Sequence, residues 1–159
     1  MKVHTVGIGE WVVATDPADE IKTYALGSCV AVIIIDVKLH IAGMIHIALP
    51  DSAIDTAKAS RLPGYFADTG LPLMIEEMKK HGSVRASIRV KMAGGAAVMD
   101  DKGVFDIGKR NLLAIKRILW KSSLGAIAED TGGTISRTVS VNVGDGTTTI
   151  SSGNRKWTI

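Results

Sequence analysis

The residue types able to do covalent chemistry in this chain are few and closely spaced. Its one cysteine, Cys29, heads an apolar run at residues 29–35, immediately after a Gly27-Ser28 step. Seventeen residues later His46 lies inside a second apolar run, residues 41–49. A cysteine attacks as its thiolate, and an imidazole is the usual group that takes its proton near neutral pH. If the two runs pair as neighbouring strands, thiol and imidazole meet at one end of a sheet. Gly27 permits a tight turn there, so the amides of Ser28 and Cys29 can face an oxyanion. Each feature also has a plainer reading. A buried cysteine often only fills space in a strand, a core histidine bonds a carbonyl, and Ser28 serves as a turn residue. Spacing alone leaves both readings open.

The elements that must position these groups are legible from periodicity. Strand-like text covers residues 3–9 and 11–14, broken at Asp16-Pro17, and then 21–26. Residues 29–36 and 41–49 read as two strands joined by a hairpin at 37–40, and Pro50 ends the second. Residues 53–64 read as an irregular loop, placed to wall the site just after His46. Leu71, Met74, Ile75 and Met78 form a helical stripe, with Pro72 in its first turn and Gly82 as its stop. After a strand at 87–92, a second helix is expected over 108–123, burying Leu112, Ile115 and Leu119. A short strand at 126–128 and a hairpin pairing 138–143 with 147–150 complete the chain. Many strands and two main helices without regular βαβ alternation predict an α+β, layered architecture with mixed sheets.

Composition narrows the function classes. At 159 residues, one domain spanning 1–159 with a sizeable core is expected, and no repeat or linker divides it. The apolar runs are too short to cross a bilayer and no secretory h-region opens the chain, so neither membrane insertion nor export is expected. A lone cysteine makes no internal disulfide and suits the cytoplasm. The net charge of +3 is scattered, which does not argue for nucleic acid. No Cys/His cluster has zinc spacing, and Gly7-Ile8-Gly9 and Gly94-Gly95 lack the rest of a nucleotide fingerprint, so no metal or cofactor is assigned. His4, His40 and His81, at a terminus, a turn and a helix end, read as solvated. Glu129 and Asp130 suit either the site or a turn before Gly132.

Longer words now add to the pair. Gly7-Ile8-Gly9-Glu10, Leu26-Gly27-Ser28-Cys29-Val30-Ala31-Val32 and Ala42-Gly43-Met44-Ile45-His46-Ile47-Ala48-Leu49-Pro50-Asp51-Ser52 occur in order. Tyr65-Phe66-Ala67-Asp68-Thr69, Lys91-Met92-Ala93-Gly94-Gly95-Ala96, Ile107-Gly108-Lys109-Arg110-Asn111 and Glu129-Asp130-Thr131-Gly132-Gly133 follow. In these words the chain resembles the bacterial chemoreceptor glutamine deamidases (CheD). The resemblance implies a layered α/β sandwich like that of the cytotoxic necrotizing factor deamidases. It implies a hydrolase that converts receptor glutamines to glutamate with release of ammonia, and hydrolysis of receptor glutamyl methyl esters besides. Carried over residue by residue, it makes Cys29 the nucleophile, His46 the base and acid, and Thr23 the third member; read alone, Thr23 is an exposed strand threonine. It also implies chemoreceptor helices as partners, and in some bacteria the phosphatase CheC. At Met99 some relatives that dock this phosphatase carry an aromatic, so the partner surface is placed there with a weaker contact. The competing readings are a Cys-His amidase, peptidase or thioesterase with another substrate, and a catalytically silent adaptor.

Overall fold

The computed structural model describes residues 1–97 and 106–159. Its strands are β1 (Val3–Thr5), β2 (Trp11–Ala14), β3 (Glu20–Leu26), β4 (Val30–Asp36), β5 (Ile41–Ile47), β6 (Ile88–Gly94), β7 (Ala126–Thr131), β8 (Arg137–Asn142), β9 (Thr148–Ser152) and β10 (Arg155–Thr158). The helices are α1 (Thr56–Arg61), α2 (Ala67–Lys80) and α3 (Ile107–Lys121). One sheet runs β1-β3-β8-β9-β10 and the other β2-β5-β4-β6-β7. Both are mixed: β1 is parallel to β3 and β7 to β6, while the other pairs are antiparallel. The α+β layered expectation is borne out.

The second sheet is the middle layer, and β4 is its central strand. Val30, Val32 and Ile34 pack on Leu71, Met74 and Met78 of α2 and on Ile115 and Leu119 of α3. The alternate residues Ala31, Ile33 and Ile35 face the first sheet and meet Ile21, Val139, Val141 and Ile150. A strand covered on both faces has no side left for polar residues, which is why β4 reads as an unbroken apolar run.

Register within the hairpin decides where His46 points. Ala31 lies opposite His46 and Val30 opposite Ile47. A slip of one residue would turn every β5 side chain to the other face. The far end of the hairpin is pinned by Asp36, whose buried carboxylate accepts the amides of Lys38 and Leu39 and the hydroxyls of Ser83 and Ser87.

Several local expectations are corrected. Residues 53–64 are not irregular: they contain α1, capped by the Asp55 carboxylate accepting from Lys58 N–H at 3.0 Å. Helix α2 begins at Ala67, so Pro72 sits in its sixth position, on the solvent face, where the carbonyl it cannot pair is open to water. The buried stripe of α3 is Gly108, Asn111, Ile115 and Leu119, and Leu112 is only half-buried. The strand expected at 126–128 extends to Thr131 as β7, and a further strand, β10, follows the expected hairpin. Among the described residues no helix is long and apolar enough to cross a membrane.

Candidate active site

His46 is held on every side but one. Its backbone N–H donates to Glu10 O at 3.1 Å, and its carbonyl accepts from Gly9 N–H at 2.8 Å. Its ring lies between the two sheets and is 3% exposed. There Nδ1 is 2.7 Å from Thr23 Oγ1, and that hydroxyl donates to Val6 O, also at 2.7 Å. A hydroxyl has one proton. With it committed to Val6 O, Thr23 Oγ1 can only accept from the ring, so Nδ1 carries the hydrogen. The neutral ring therefore presents Nε2 as a lone pair, the tautomer a general base requires. Among the described residues, Nε2 is buried without a hydrogen-bond partner.

Thr23 faces inward in step with Ile21, two residues before it, and a bulge follows. The register of β3 against β8 shifts between Thr23 and Leu26, and Ala25 takes φ +53°. In a regular strand, residues three apart face opposite ways; the extra residue lets both Thr23 and Leu26 turn inward, fully buried. The threonine is thus not exposed, as its strand text alone suggested. An alanine in the left-handed region is strained, and such strain concentrates where a fold re-aims a side chain.

Cys29 shares the His46 face of the middle sheet. It packs against the inter-sheet core that includes Ala31 and Met44, two positions along from it and from His46. Because Ala31 opposes His46, Cys29 is the diagonal neighbour of His46, a backbone spacing of roughly 7–8 Å. Thiol and Nε2 form no hydrogen bond in this structure. Catalytic contacts are often long before substrate binds.

The turn before Cys29 is fastened by its carbonyls. Gly27 O accepts from Ala96 N–H at 2.9 Å, Cys29 O from Gly95 N–H at 2.9 Å, and Ser28 O from Asn111 Nδ2 at 3.0 Å. In a planar trans peptide the N–H points opposite to the preceding C=O, so fixing the Gly27 and Ser28 carbonyls also fixes the directions of the Ser28 and Cys29 amides. Close approach makes this possible. A Cβ on Gly94, at φ +109°, would stand 2.3 Å from Cys29 O, and one on Gly108 would stand 2.4 Å from Gly95 O. Gly94-Gly95 is accordingly an approach site rather than a phosphate loop.

Cys29, Gly27 and Ser28 open onto a cleft of about 680 Å³, together with Gly95, Leu112 and Gly133. The first turn of α3, Ile107 to Lys109, borders it, and unpaired amides at a helix start favour negative charge. Residues 53–64 do not border this cleft, contrary to the sequence expectation; the chain continues from Leu49 away from it toward β2, where Leu62 and Gly64 lie near Trp11.

Burial sets the resting protonation. It pushes the Cys29 thiol above its ordinary value and lowers His46 from 6.5 to about 4. Near pH 7 the pair is thiol plus neutral imidazole. That arrangement suits proton transfer from sulfur to Nε2 as attack proceeds.

The other candidates fall elsewhere. His4 Nε2 meets Asp19 at 2.8 Å and His40 Nδ1 meets Gly144 O at 2.8 Å, while His81 lies 3.4 Å from Glu77 at the end of α2. Glu129 and Asp130 are in β7 rather than a turn. Glu129 pairs with Lys116, and Asp130 accepts Arg137 Nε and Trp157 Nε1, joining the two sheets. Met99 lies outside the described residues. Sequence reasoning gave no role to Val6 or Asn111. Val6 acts through its carbonyl, which no residue type reveals. Asn111 left one usable trace, a polar residue in a helix's buried stripe.

Comparison with known proteins supplies the lineage. Residues 48–152 match the family model described as CheD chemotactic sensory transduction. That range starts two residues after His46, so Thr23, Cys29 and His46 precede it. A probable chemoreceptor glutamine deamidase CheD of Syntrophotalea carbinolica is 51% identical over 158 residues, covering 97% of each chain. Its counterpart in Solibacter usitatus is 46% identical over 141 residues, covering 89% of this chain and 83% of the relative. The chemoreceptor glutamine deamidase CheD of Thermotoga maritima is 41% identical over 141 residues, covering 89% and 86%. With the match spanning nearly the whole sequence, this chain belongs to the CheD family.

Proposed function

We propose that this protein hydrolyses the side-chain amides of particular glutamines on the cytoplasmic helices of chemoreceptors, leaving glutamate and releasing ammonia. The observation that carries the reading is the Thr23–His46 pair: its hydrogen bonds leave Nε2 as acceptor on the sheet face that also carries Cys29. The names of the relatives supply the substrate.

Each step uses groups at this site. His46 Nε2 takes the Cys29 proton while sulfur attacks the carboxamide carbon, and amides of the 27–29 turn receive the oxyanion. The imidazolium then protonates the departing nitrogen, the C–N bond breaks, and ammonia leaves a thioester. Water, deprotonated by His46, cleaves the thioester and restores the thiol. Thr23 keeps the ring in its working tautomer throughout. A glutamyl methyl ester would follow the same path with methanol as leaving group.

A resting thiol is less reactive than a thiolate, so selectivity is assigned to docking of a receptor helix that presents one glutamine at the cleft. A CheC-type phosphatase is the second proposed partner, and Met99 is the proposed contact both for the docked receptor helix and for this phosphatase. The cytoplasm, reducing and in reach of receptor helices, is the proposed compartment. Peptide mass spectrometry of receptor cytoplasmic fragments incubated with the protein tests the whole reading. Each conversion adds about one dalton at a single glutamine. Fragments that bind and gain no mass would favour the silent adaptor.

A further inference from the structure

We infer that Asn111 is a positioning residue that sets the separation of Cys29 from His46 by tying together the two chain ends that carry them; this rests on the Cys-His reading above. Asn111 follows Gly108, three residues on, in the buried stripe of α3 and is fully buried. Its Nδ2 donates to Ser28 O and to Ala48 O, each at 3.0 Å. Both acceptors are carbonyls, so only the amide nitrogen can face them, which fixes the side chain's orientation. Among the described residues its Oδ1 is buried and accepts nothing.

Helix packing does not explain this residue. An apolar side chain would continue the Ile115-Leu119 stripe without leaving an acceptor unpaired. What Asn111 contributes lies across the sheet. The β4–β5 ladder ends at the pair Val30–Ile47. Beyond it the chains continue as Ser28-Cys29 on one side and Ala48 on the other, with no further rung between them. The two N–H bonds of Asn111 span that gap. One acceptor immediately precedes the nucleophile in sequence, and the other lies two residues past the base. Holding Ser28 O also fixes the direction of the Cys29 amide. The diagonal from Cys29 to His46 therefore depends on one side chain from a different layer.

The test compares Asn111→Leu, Asn111→Ser, His46→Ala and the wild-type protein. Measured for each are deamidation kinetics on a receptor fragment, the iodoacetamide reactivity of Cys29 from about pH 6 to about pH 10, and the melting temperature. Asn111→Leu is expected to lower kcat about a hundredfold with KM changed less than about twofold. It should also shift the alkylation profile toward that of His46→Ala. Asn111→Ser, which keeps one donor, should fall between and remains informative if the leucine variant does not fold. A solely structural residue would lower the melting temperature and leave both kcat and the profile of the folded protein unchanged; that result overturns the inference. If His46→Ala alone shifts the profile, the Cys-His pair stands and the clamp falls. If His46→Ala leaves the profile unchanged, the pair itself is wrong and the clamp falls with it.

Discussion

The two faces of the middle sheet are built to different ends. Toward the helices, the buried residues of β4, β5, β6, α2 and α3 form an apolar cluster of Val, Ile, Leu, Met and Ala. Toward the other sheet the cluster is also aliphatic, but fully or nearly buried Thr23 and His46 sit beside it, with Cys29 at its rim. The first face is closed mainly by aliphatic packing, and its buried titratable group, Asp36, is fully hydrogen-bonded at the end of β4 away from Cys29. The second contains a polar chain, Val6 O, Thr23 and His46, that satisfies one ring nitrogen and leaves the other bare. Burying a polar atom without a partner is costly, and a fold keeps one where chemistry uses it. Aliphatic packing dominates the helix-facing side, with the Asn111 clamp as its polar exception, and the reacting side chains lie on the inter-sheet side.

The sharpest way to break that division is at the nucleophile. Cys29→Ser should reduce deamidation by roughly 10³-fold or more, about 4 kcal/mol of barrier, with an unchanged melting temperature. Near-normal turnover in that variant would remove the reactive role of this face.

His46 is expected to report on both activity and stability. Its folded pKa of about 4 lies below the ordinary 6.5, so between those values the unfolded chain binds a proton that the folded chain does not. The contribution is complete above pH 6.5 and is lost as pH falls through about 4, amounting to about 3 kcal/mol. Chemical denaturation should show that loss, and His46→Asn should flatten it. The same depression predicts an acid limb of kcat/KM near pH 4. A limb near the unperturbed value would mean that the ring is solvated while the enzyme works.

On the opposite face, Met74→Ala should cost 2–5 kcal/mol of stability, roughly, through cavity formation. Below its lowered melting temperature the variant should keep the wild-type pH profile of Cys29 alkylation. A shifted profile would show that the two faces are coupled. Thr23→Val, nearly isosteric, should slow turnover about tenfold to a hundredfold by unpairing Nδ1–H and releasing the tautomer. A loss as complete as that of Cys29→Ser would give the hydroxyl a larger part than orientation. Ala25→Gly is the mildest: relief of the left-handed alanine and the greater entropy of an unfolded glycine oppose one another, leaving stability within about 1 kcal/mol.

How far the site was legible follows from what each residue contributes. Cys29 and His46 act through side chains of unmistakable chemistry, set in apolar runs whose pairing as a hairpin was readable. Thr23 is different. Its text is that of a strand residue, and only the family resemblance singled it out, because alternation with Ile21 sets the face it points to and does not name the imidazole it meets. Residues 53–64 read as a loop because α1 is six residues long, too short for a periodic stripe, and the Asp55 cap is its one local mark. Pro72 suggested a helix start because proline usually occupies a first turn; here its solvent-facing place tolerates the lost bond.

By itself, the sequence determined the strand run through β4, the helical stripes, the two reactive side chains and the family. These follow from short-range periodicity and from residue chemistry, which the chain carries locally. Tertiary structure decided which way His46 faces, which of its nitrogens is free, what holds Thr23 and what joins Ser28 to Ala48. Those outcomes depend on hydrogen bonds between residues far apart in the chain, such as Thr23 to His46 and Asn111 to Ser28. Val6 and Ala48 take part only through carbonyl oxygens, a group every residue has, so their roles exist only once the layers have packed.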